Sequence, residues 1–289
     1  MDMAYGKLYL VATPVGNLED ITLRALRILK EVDLIACEDT RHTARLLKRY
    51  GIGTARESYH QFNETSRTPH LVHLLQDGKD IALVTDSGTP LVSDPGYELV
   101  AACRREGVKV VPVPGPTAAI AALTGSGLAS ENFFFAGFLP ARDLQRKRRL
   151  KELAGIPGTL VLFEAPHRLL RSLRDMALVF GERNACVARE LTKIHEEFLR
   201  GTLPELVQIL QARPRIQGEI TVIIEKEKQF PESPSSSFPS SIKQHLAEEM
   251  QKSGLPRNEA LKSVARQRGV TRKEAYNKLN DELRMTNDE

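Results

Sequence analysis

Tryptophan is absent from the 289 residues, and aromatic residues make up only 6% of them. Cysteine is scarce as well. Cys37, Cys103 and Cys186 are odd in number and far apart, which excludes a disulfide framework and a CxxC metal or redox pair and points to a reducing compartment. No long apolar run is present. The longest, Val110 to Leu123, is broken by Pro112, Pro114, Gly115 and Pro116 and falls short of the roughly 20 apolar residues that cross a bilayer. Met1-Asp2 does not open a basic segment leading into an apolar one, so no signal peptide is read and a cytoplasmic protein is expected. Charge of one sign is not in large excess either, since the net charge of +4 selects no partner by itself. What remains is ordinary. With 41% hydrophobic and 27% charged residues, the chain can bury a real core in roughly two domains' worth of length.

The first half alternates β-branched runs with helical patterns. Lys7–Ala12, Asp33–Cys37, Ile81–Thr85 and Val108–Val113 read as strands. Thr22–Val32 and Tyr97–Glu106 place apolar residues at helical spacing. Strands separated by helices predict a parallel sheet covered on both faces. In the second half, Phe133–Phe138, Thr159–Phe163, Ala185–Ala188 and Glu219–Ile224 are strand-like, His195–Gly201 is a further candidate, and Pro166–Phe180 is an amphipathic helix. The division expected is an α/β domain over 1–128, a second over 129–228, a Pro/Ser-rich linker over 229–241 and a basic tri-helical domain over 242–289. Gly254-Leu-Pro256 and Gly269 separate the three helices, and Thr271-Arg-Lys-Glu274 opens the last with a capping box.

Three loops follow strands of the first half, at the edge where open α/β sheets bind ligands. Thr13-Pro-Val-Gly16-Asn17 carries neither G-x-G-x-x-G nor a P-loop pattern, and it also suits a plain strand-to-helix turn. Asp86-Ser-Gly88-Thr-Pro-Leu-Val-Ser-Asp94-Pro-Gly96 combines two glycines, two prolines, two carboxylates and three hydroxyls. Lacking lysine, it suits a zwitterionic or ribose-bearing ligand better than a polyphosphate, although its Asp and Ser also suit a helix cap. Pro114-Gly-Pro-Thr117-Ala-Ala119 leads into a helix of small residues fit for close packing on a ligand or a sheet.

TPVGNLEDIT, CEDTRHT, TDSGTPLVSDPG, PGPTAA, FAGFLP, FEAPHR and ARELTKIHEE occur in this order. Over about Lys7 to Glu225 the chain thereby resembles the tetrapyrrole methylase superfamily and, within it, the methyltransferases of small-subunit ribosomal RNA. The C-terminal helices are similar to that group's appendage. The resemblance implies two α/β domains with a cleft between them plus a small helical C-terminal domain. It implies S-adenosylmethionine as cofactor, and methylation of a cytidine 2'-hydroxyl in the decoding centre of 16S rRNA, within the small ribosomal subunit, by a homodimer. It further implies that Pro14, Asp86, Gly88, Thr89, Pro90, Leu91, Thr117 and Ala118 line one side of the cofactor, and Phe163, Glu164, Ala165, Arg189, Glu190, Gly218 and Glu219 the other. The DSGTP order departs from the GDP-type loop of the tetrapyrrole enzymes.

A ribose hydroxyl attacks only when a base takes its proton or a cation stabilises the developing oxyanion. Glu38, Asp39 and Arg41, at the end of the second strand, and Lys193, with Glu190, from the second domain, are the candidates. The first three also suit a helix cap and a surface ion pair. His195 suits a cap or a simple hydrogen bond. His70 and His73 lack a Cys or carboxylate partner, so no metal site is read. Arg142–Arg149 carries Arg142, Arg146, Lys147, Arg148 and Arg149 against one acid. Lys252–Lys278 carries eight basic residues, among them Arg266, Arg268, Arg272 and Lys273, against two acids. Such clusters neutralise phosphates, although many charge runs are merely solvated helix faces. Two alternatives remain: a precorrin-type C-methyltransferase of the same fold, against which the basic clusters speak, and a non-catalytic nucleic-acid-binding protein, which leaves the three loops without a purpose.

Overall fold

The computed structural model describes residues 5–226, 239, 241–268 and 270–285. The chain falls into two units, 1–227 and 228–289. The first holds two five-stranded sheets. One comprises β1 (Lys7–Val11), β2 (Leu34–Cys37), β3 (Ala55–Ser58), β4 (Ile81–Val84) and β5 (Lys109–Val113) in the order β3-β2-β4-β1-β5, and every pairing is parallel. Side chains of a strand alternate between faces, and here both faces are covered. Ala82 and Val84 of β4 join Ile28, Leu29, Leu46 and Leu47 of α1 (Leu23–Glu31) and α2 (Thr40–Arg49) in one core. Ile81 and Leu83 join Leu71, Leu75, Leu99 and Cys103 of α3 (Glu64–Gln76) and α4 (Tyr97–Arg105) in the other. The unbroken apolar runs LIAC and IALV are therefore buried along their whole length.

The second sheet joins β6 (Phe133–Phe138), β7 (Thr159–Glu164), β8 (Asn184–Arg189), β9 (Glu197–Thr202) and β10 (Ile220–Ile224) in the order β6-β7-β10-β8-β9. Only β6 and β7 run parallel, and the other pairings are antiparallel. Helices α6 (Asp143–Ala154), α7 (Pro166–Phe180) and α8 (Leu203–Gln211) cover one face through Leu150, Leu173 and Leu206. Helix α5 (Ala118–Ser126) covers the other, and Ala119 and Ala122 let it approach Val161, Cys186 and Ile223 closely. This small-residue helix precedes residue 129 in the chain yet packs on the second sheet.

The second unit is a three-helix bundle of α9 (Ile242–Ser253), α10 (Arg257–Gln267) and α11 (Arg272–Met285) around Leu246, Leu261, Val264 and Leu279. The predicted capping box is formed. The Thr271 N–H donates to Glu274 at 2.8 Å, and the Glu274 N–H donates to the Thr271 hydroxyl at 3.3 Å. Most of the expected linker, including 229–238, and Gly269 lie outside the described residues. Among the described residues no helix is long and apolar enough to cross a membrane. All three cysteines are buried and free.

Candidate active site

The three loops meet at the carboxyl edge of the first sheet and are laced to one another. The backbones of Thr13 and Gly88 exchange two hydrogen bonds, at 2.8 and 3.0 Å, and the Thr13 hydroxyl donates to the Thr85 carbonyl at 3.0 Å. The Thr89 hydroxyl donates to the Pro116 carbonyl at 3.1 Å. Gly88 sits at a φ of +87°, a conformation that costs glycine nothing. The Asp39 N–H donates to Asp86 Oδ1 at 3.1 Å, which ties the end of β2 to the same frame.

The first two of these loops border a cavity of about 320 Å³, and the third, Pro114–Ala119, contributes no lining residue. Thr13, Pro14, Val15, Gly16 and Leu18 line it from the first loop, Thr85, Asp86 and Ser87 from the second, and His42, Thr43, Arg45 and Leu46 from α2. Lys193 and Glu219 close it from the segments around the second sheet. The two walls touch at Gly16. A Cβ there would lie 2.6 Å from Lys193 Cγ and 2.7 Å from both the Leu191 carbonyl oxygen and Thr192 Oγ1. Lys193 binds Glu190 at 2.9 Å and Glu219 at 3.2 Å, and Glu190 Oε1 also accepts the Glu219 N–H at 2.9 Å. Gly218 is required beside this knot, since a Cβ would fall 2.4 Å from Glu190 Cγ. Among the described residues the non-glycine residues with positive φ are Leu91, Ser93, Glu190 and Thr192, which lie in the segments flanking the cavity. Such strain persists only where the surroundings impose it, and it concentrates at functional sites.

The electrostatics divide the walls. Burial, reinforced by Asp86, raises the Glu38 carboxyl above its ordinary range. Burial likewise pushes Asp94 up to about 6, against a hydrogen bond from Thr85 and with help from Glu38 and Asp86. On the other wall, partial burial would lower Lys193, but Glu190 and Glu219 outweigh it and hold the ammonium charged. The lysine in turn keeps Glu190 low, assisted by the Glu219 N–H.

Of the residues expected at the cofactor, Pro14, Asp86 and Glu219 line the cavity, and Gly88, Thr89, Glu190 and Gly218 shape its walls. Pro90, Leu91, Thr117, Ala118, Phe163, Glu164, Ala165 and Arg189 are not among the lining residues. Phe163 stacks edge-on with Phe135, 5.0 Å away. The buried Glu164 carboxylate accepts hydrogen bonds from Ser172 and the Ala165 N–H and pairs with Arg168 at 2.9 Å. Arg189 is bound to Glu197 at 3.1 Å. Thr117 opens α5 without using its hydroxyl as a cap. Asp39 caps α2 by accepting the Arg41 N–H at 2.7 Å, and Arg41, 87% exposed, pairs with it at 2.9 Å. Glu38 and Asp39 are both partly buried, and Glu38 reaches the cavity through Thr85, a lining residue whose hydroxyl donates to it at 3.4 Å. His42, Thr43 and Asp94 stood inside quoted motifs without being singled out. No periodicity marks them, because what selects them is the side to which α2 and the β4 loop turn.

Two corrections concern the basic clusters. Arg146 is fully buried between Asp143 and Asp175 and cannot meet RNA. Arg268 is engaged within its own bundle, with the Ser241 carbonyl and His245 both at 3.0 Å. Arg142 just before α6, Lys147 and Arg148 on it, and Arg266, Arg272 and Lys273 in the bundle are exposed, while Arg149 is half-buried. His70 and His73, expected to lack a carboxylate partner, each have one, since His70 faces Glu57 and His73 faces Asp77 at 3.6 Å; a group of three His, Cys, Asp or Glu residues that could hold a metal ion does not occur among the described residues.

The family model for tetrapyrrole (corrin/porphyrin) methylases matches residues 7–207. The chain belongs to the tetrapyrrole methylase family. It is 47% identical over 277 residues to the ribosomal RNA small subunit methyltransferase I of Halalkalibacterium halodurans, covering 94% of each chain. It is 46% identical to the protein of the same name from Synechocystis sp., covering 94% of this chain and 96% of that one. Among solved structures, uroporphyrin-III-C-methyltransferase from Thermus thermophilus superposes with a TM-score of 0.53 at 24% identity, covering 76% of this chain and 94% of that one. A diphthine synthase superposes with a TM-score of 0.59 at 16% identity, covering 76% and 90%. These last two likenesses show the methylase fold.

Proposed function

We propose that the protein is an S-adenosylmethionine-dependent methyltransferase acting on the 2'-hydroxyl of a cytidine in the decoding centre of 16S rRNA. This reading rests on the cavity at the carboxyl edge of the first sheet, walled by loops of that sheet and closed by Lys193 and Glu219. The names carried by its relatives support ribosomal RNA as substrate. The exposed cations of α6 and of the C-terminal bundle favour RNA over a tetrapyrrole.

The residues present fit the cofactor. Thr192 Oγ1 is buried without a hydrogen-bond partner next to Gly16, where the chain carries no side chain. Asp86 and Glu219 offer carboxylates to hydroxyl and ammonium groups, and the Thr13 and Gly88 backbones hold their loops rigid. When bound, S-adenosylmethionine supplies an electrophilic methyl group on a positively charged sulfur. Glu38, raised by burial and so a stronger base than a free carboxylate, takes the proton from the attacking hydroxyl. Lys193, held charged by its two carboxylates, offsets negative charge that develops on the oxygen. The rigid walls fix the alignment that an in-line displacement requires.

The test is incubation of the protein with methyl-labelled S-adenosylmethionine and small ribosomal subunits lacking the modification. Label on one cytidine ribose is expected, together with one cofactor bound per chain by calorimetry and weaker cofactor binding in Asp86→Ala. Absence of label from every ribose would remove the proposal.

A further inference from the structure

A second groove, of about 600 Å³, lies between the start of α7 and the segment joining α8 to β10. His167, Leu170, Gln211, Arg213, Arg215 and Ile216 are among its lining residues, and no carboxylate is. His167, Arg171 and Arg174 are spaced four and three residues apart on α7, so they form one stripe on the helix surface. All three are exposed, and Arg171 at the α6 end of the stripe also donates to the Ala141 carbonyl at 3.1 Å and faces Asp143 at 3.7 Å. Arg174 reaches across to Gln211 at 3.0 Å, which joins the stripe to the groove. Arg215 is exposed, whereas Arg213 is held by both oxygens of Glu197, at 2.6 and 2.8 Å, and serves to fix the segment. Gly218 is among the groove's lining residues, and the next residue, Glu219, lines the catalytic cavity. A cationic groove with a partly apolar lining thus adjoins, through the Gly218–Glu219 peptide bond, the proposed reaction site.

We infer that this groove is a track for the sugar-phosphate backbone of the RNA strand flanking the methylated nucleotide, with Arg171, Arg174 and Arg215 as phosphate contacts. The inference rests on RNA being the substrate. Guanidinium groups pair bidentately with phosphate oxygens, and the lining itself carries no carboxylate to repel a polyanion. The apolar lining residues Pro166, Leu170, Pro214 and Ile216 suit the faces of riboses or bases between successive phosphates. The motifs that signal the cavity lie elsewhere in the chain. The groove forms only because the loop before β10 folds back against α7.

The experiment uses the full-length protein carrying R171Q, R174Q and R215Q together. Binding to the naked 16S rRNA and to undermodified small subunits is measured over a range of salt concentrations. Cofactor binding and thermal stability are followed in parallel. Loss of three phosphate contacts is expected to weaken RNA binding at least tenfold and to lower the slope of log affinity against log salt by about 2 to 3. Cofactor affinity and Tm are expected to stay at the wild-type values. The corresponding triple Arg→Lys protein, which keeps the charges, is expected to recover most of the affinity. Wild-type RNA affinity and slope in the glutamine variant would overturn the inference while leaving the proposed function intact. Loss of binding to subunits with full retention of binding to naked RNA would mark the groove as a contact for ribosomal protein and would also overturn it. If the wild-type protein bound neither RNA nor subunits at any salt concentration, both the inference and the proposed function would fall.

Discussion

Arg146 Nε donates to Asp175 Oδ2 at 2.7 Å, and the guanidinium that makes this bond is shut off from solvent. The same residue stands in the most basic stretch of the α/β half of the chain, yet it pins α6 to α7 rather than facing outward. Removing one member of a buried ion pair leaves an uncompensated charge, which costs about 3–5 kcal/mol. Arg146→Met is therefore expected to lose that much in urea denaturation. The double variant with Asp175→Leu is expected to regain most of it, because both charges leave together.

Gly16 is where the two walls of the cavity touch. In Gly16→Ala the new methyl group would meet Lys193, Leu191 and Thr192 well inside contact distance, and two of those three atoms are not the free end of a flexible chain. The walls are expected to part, lowering cofactor affinity at least tenfold in calorimetry with circular dichroism unchanged. Gly53, around which nothing lies within 4 Å, provides the control: Gly53→Ala is expected to bind as the wild type does.

Asp94 titrates near 6 in the folded protein because it is buried beside Thr85 and two other carboxylates. Its folded value is raised above the ordinary 3.8, so its contribution to stability is fully present below about pH 4 and is lost as pH rises through 6. Asp94→Asn is thus expected to be more stable than the wild type at pH 7.5, by on the order of 1 kcal/mol, with the advantage shrinking towards pH 4. Melting curves from pH 4 to 8 check this. An equal gain at every pH would show that ionisation is not the cause.

Glu197 has the opposite sign. Hydrogen bonds from Arg213, and then from Arg189, hold its carboxyl at about 2. The stabilisation is present above the ordinary value of 4.5 and is lost as pH falls towards 2. Glu197 is about a quarter exposed, so solvent screening reduces the effect, and Glu197→Gln is expected to cost about 1–2 kcal/mol at pH 7. The difference from the wild type should vanish near pH 2 in denaturant titrations.

Glu38→Gln separates chemistry from binding. A positioned base contributes about 10²–10⁴-fold to rate. The variant is expected to lose kcat within that range while its cofactor Kd, read by calorimetry, changes little. An unchanged kcat would assign the proton to another group.

Local chemistry made much of this legible in the linear chain. Helix α7 begins at a proline tolerated in a first turn and repeats its apolar residues at helical spacing, and Pro166–Phe180 is its extent in the structure. The parallel first sheet follows from strands that read as unbroken apolar runs. Strand β3 gave no such signal. Ala55-Arg-Glu-Ser58 is a half-exposed edge whose place is set by pairing with β2, not by its own composition. The antiparallel pairing of the second sheet was hidden for a related reason, since strand direction depends on where the chain returns.

Sequence alone determined many of the strands and helices, among them β1, β2, β4, β5 and α7, because propensity, capping and periodicity act within a few residues. It also supplied the motifs that place the chain in its family. Only the tertiary structure decided which charges face water and which do not. Arg146 and Lys147 are neighbours in the chain, but a helix turns by about 100° per residue, so one is sealed beneath α7 and the other is exposed. It likewise decided that Gly16 meets Lys193 and that the residues on either side of the Gly218–Glu219 bond serve different cavities, since such contacts join residues far apart in the chain.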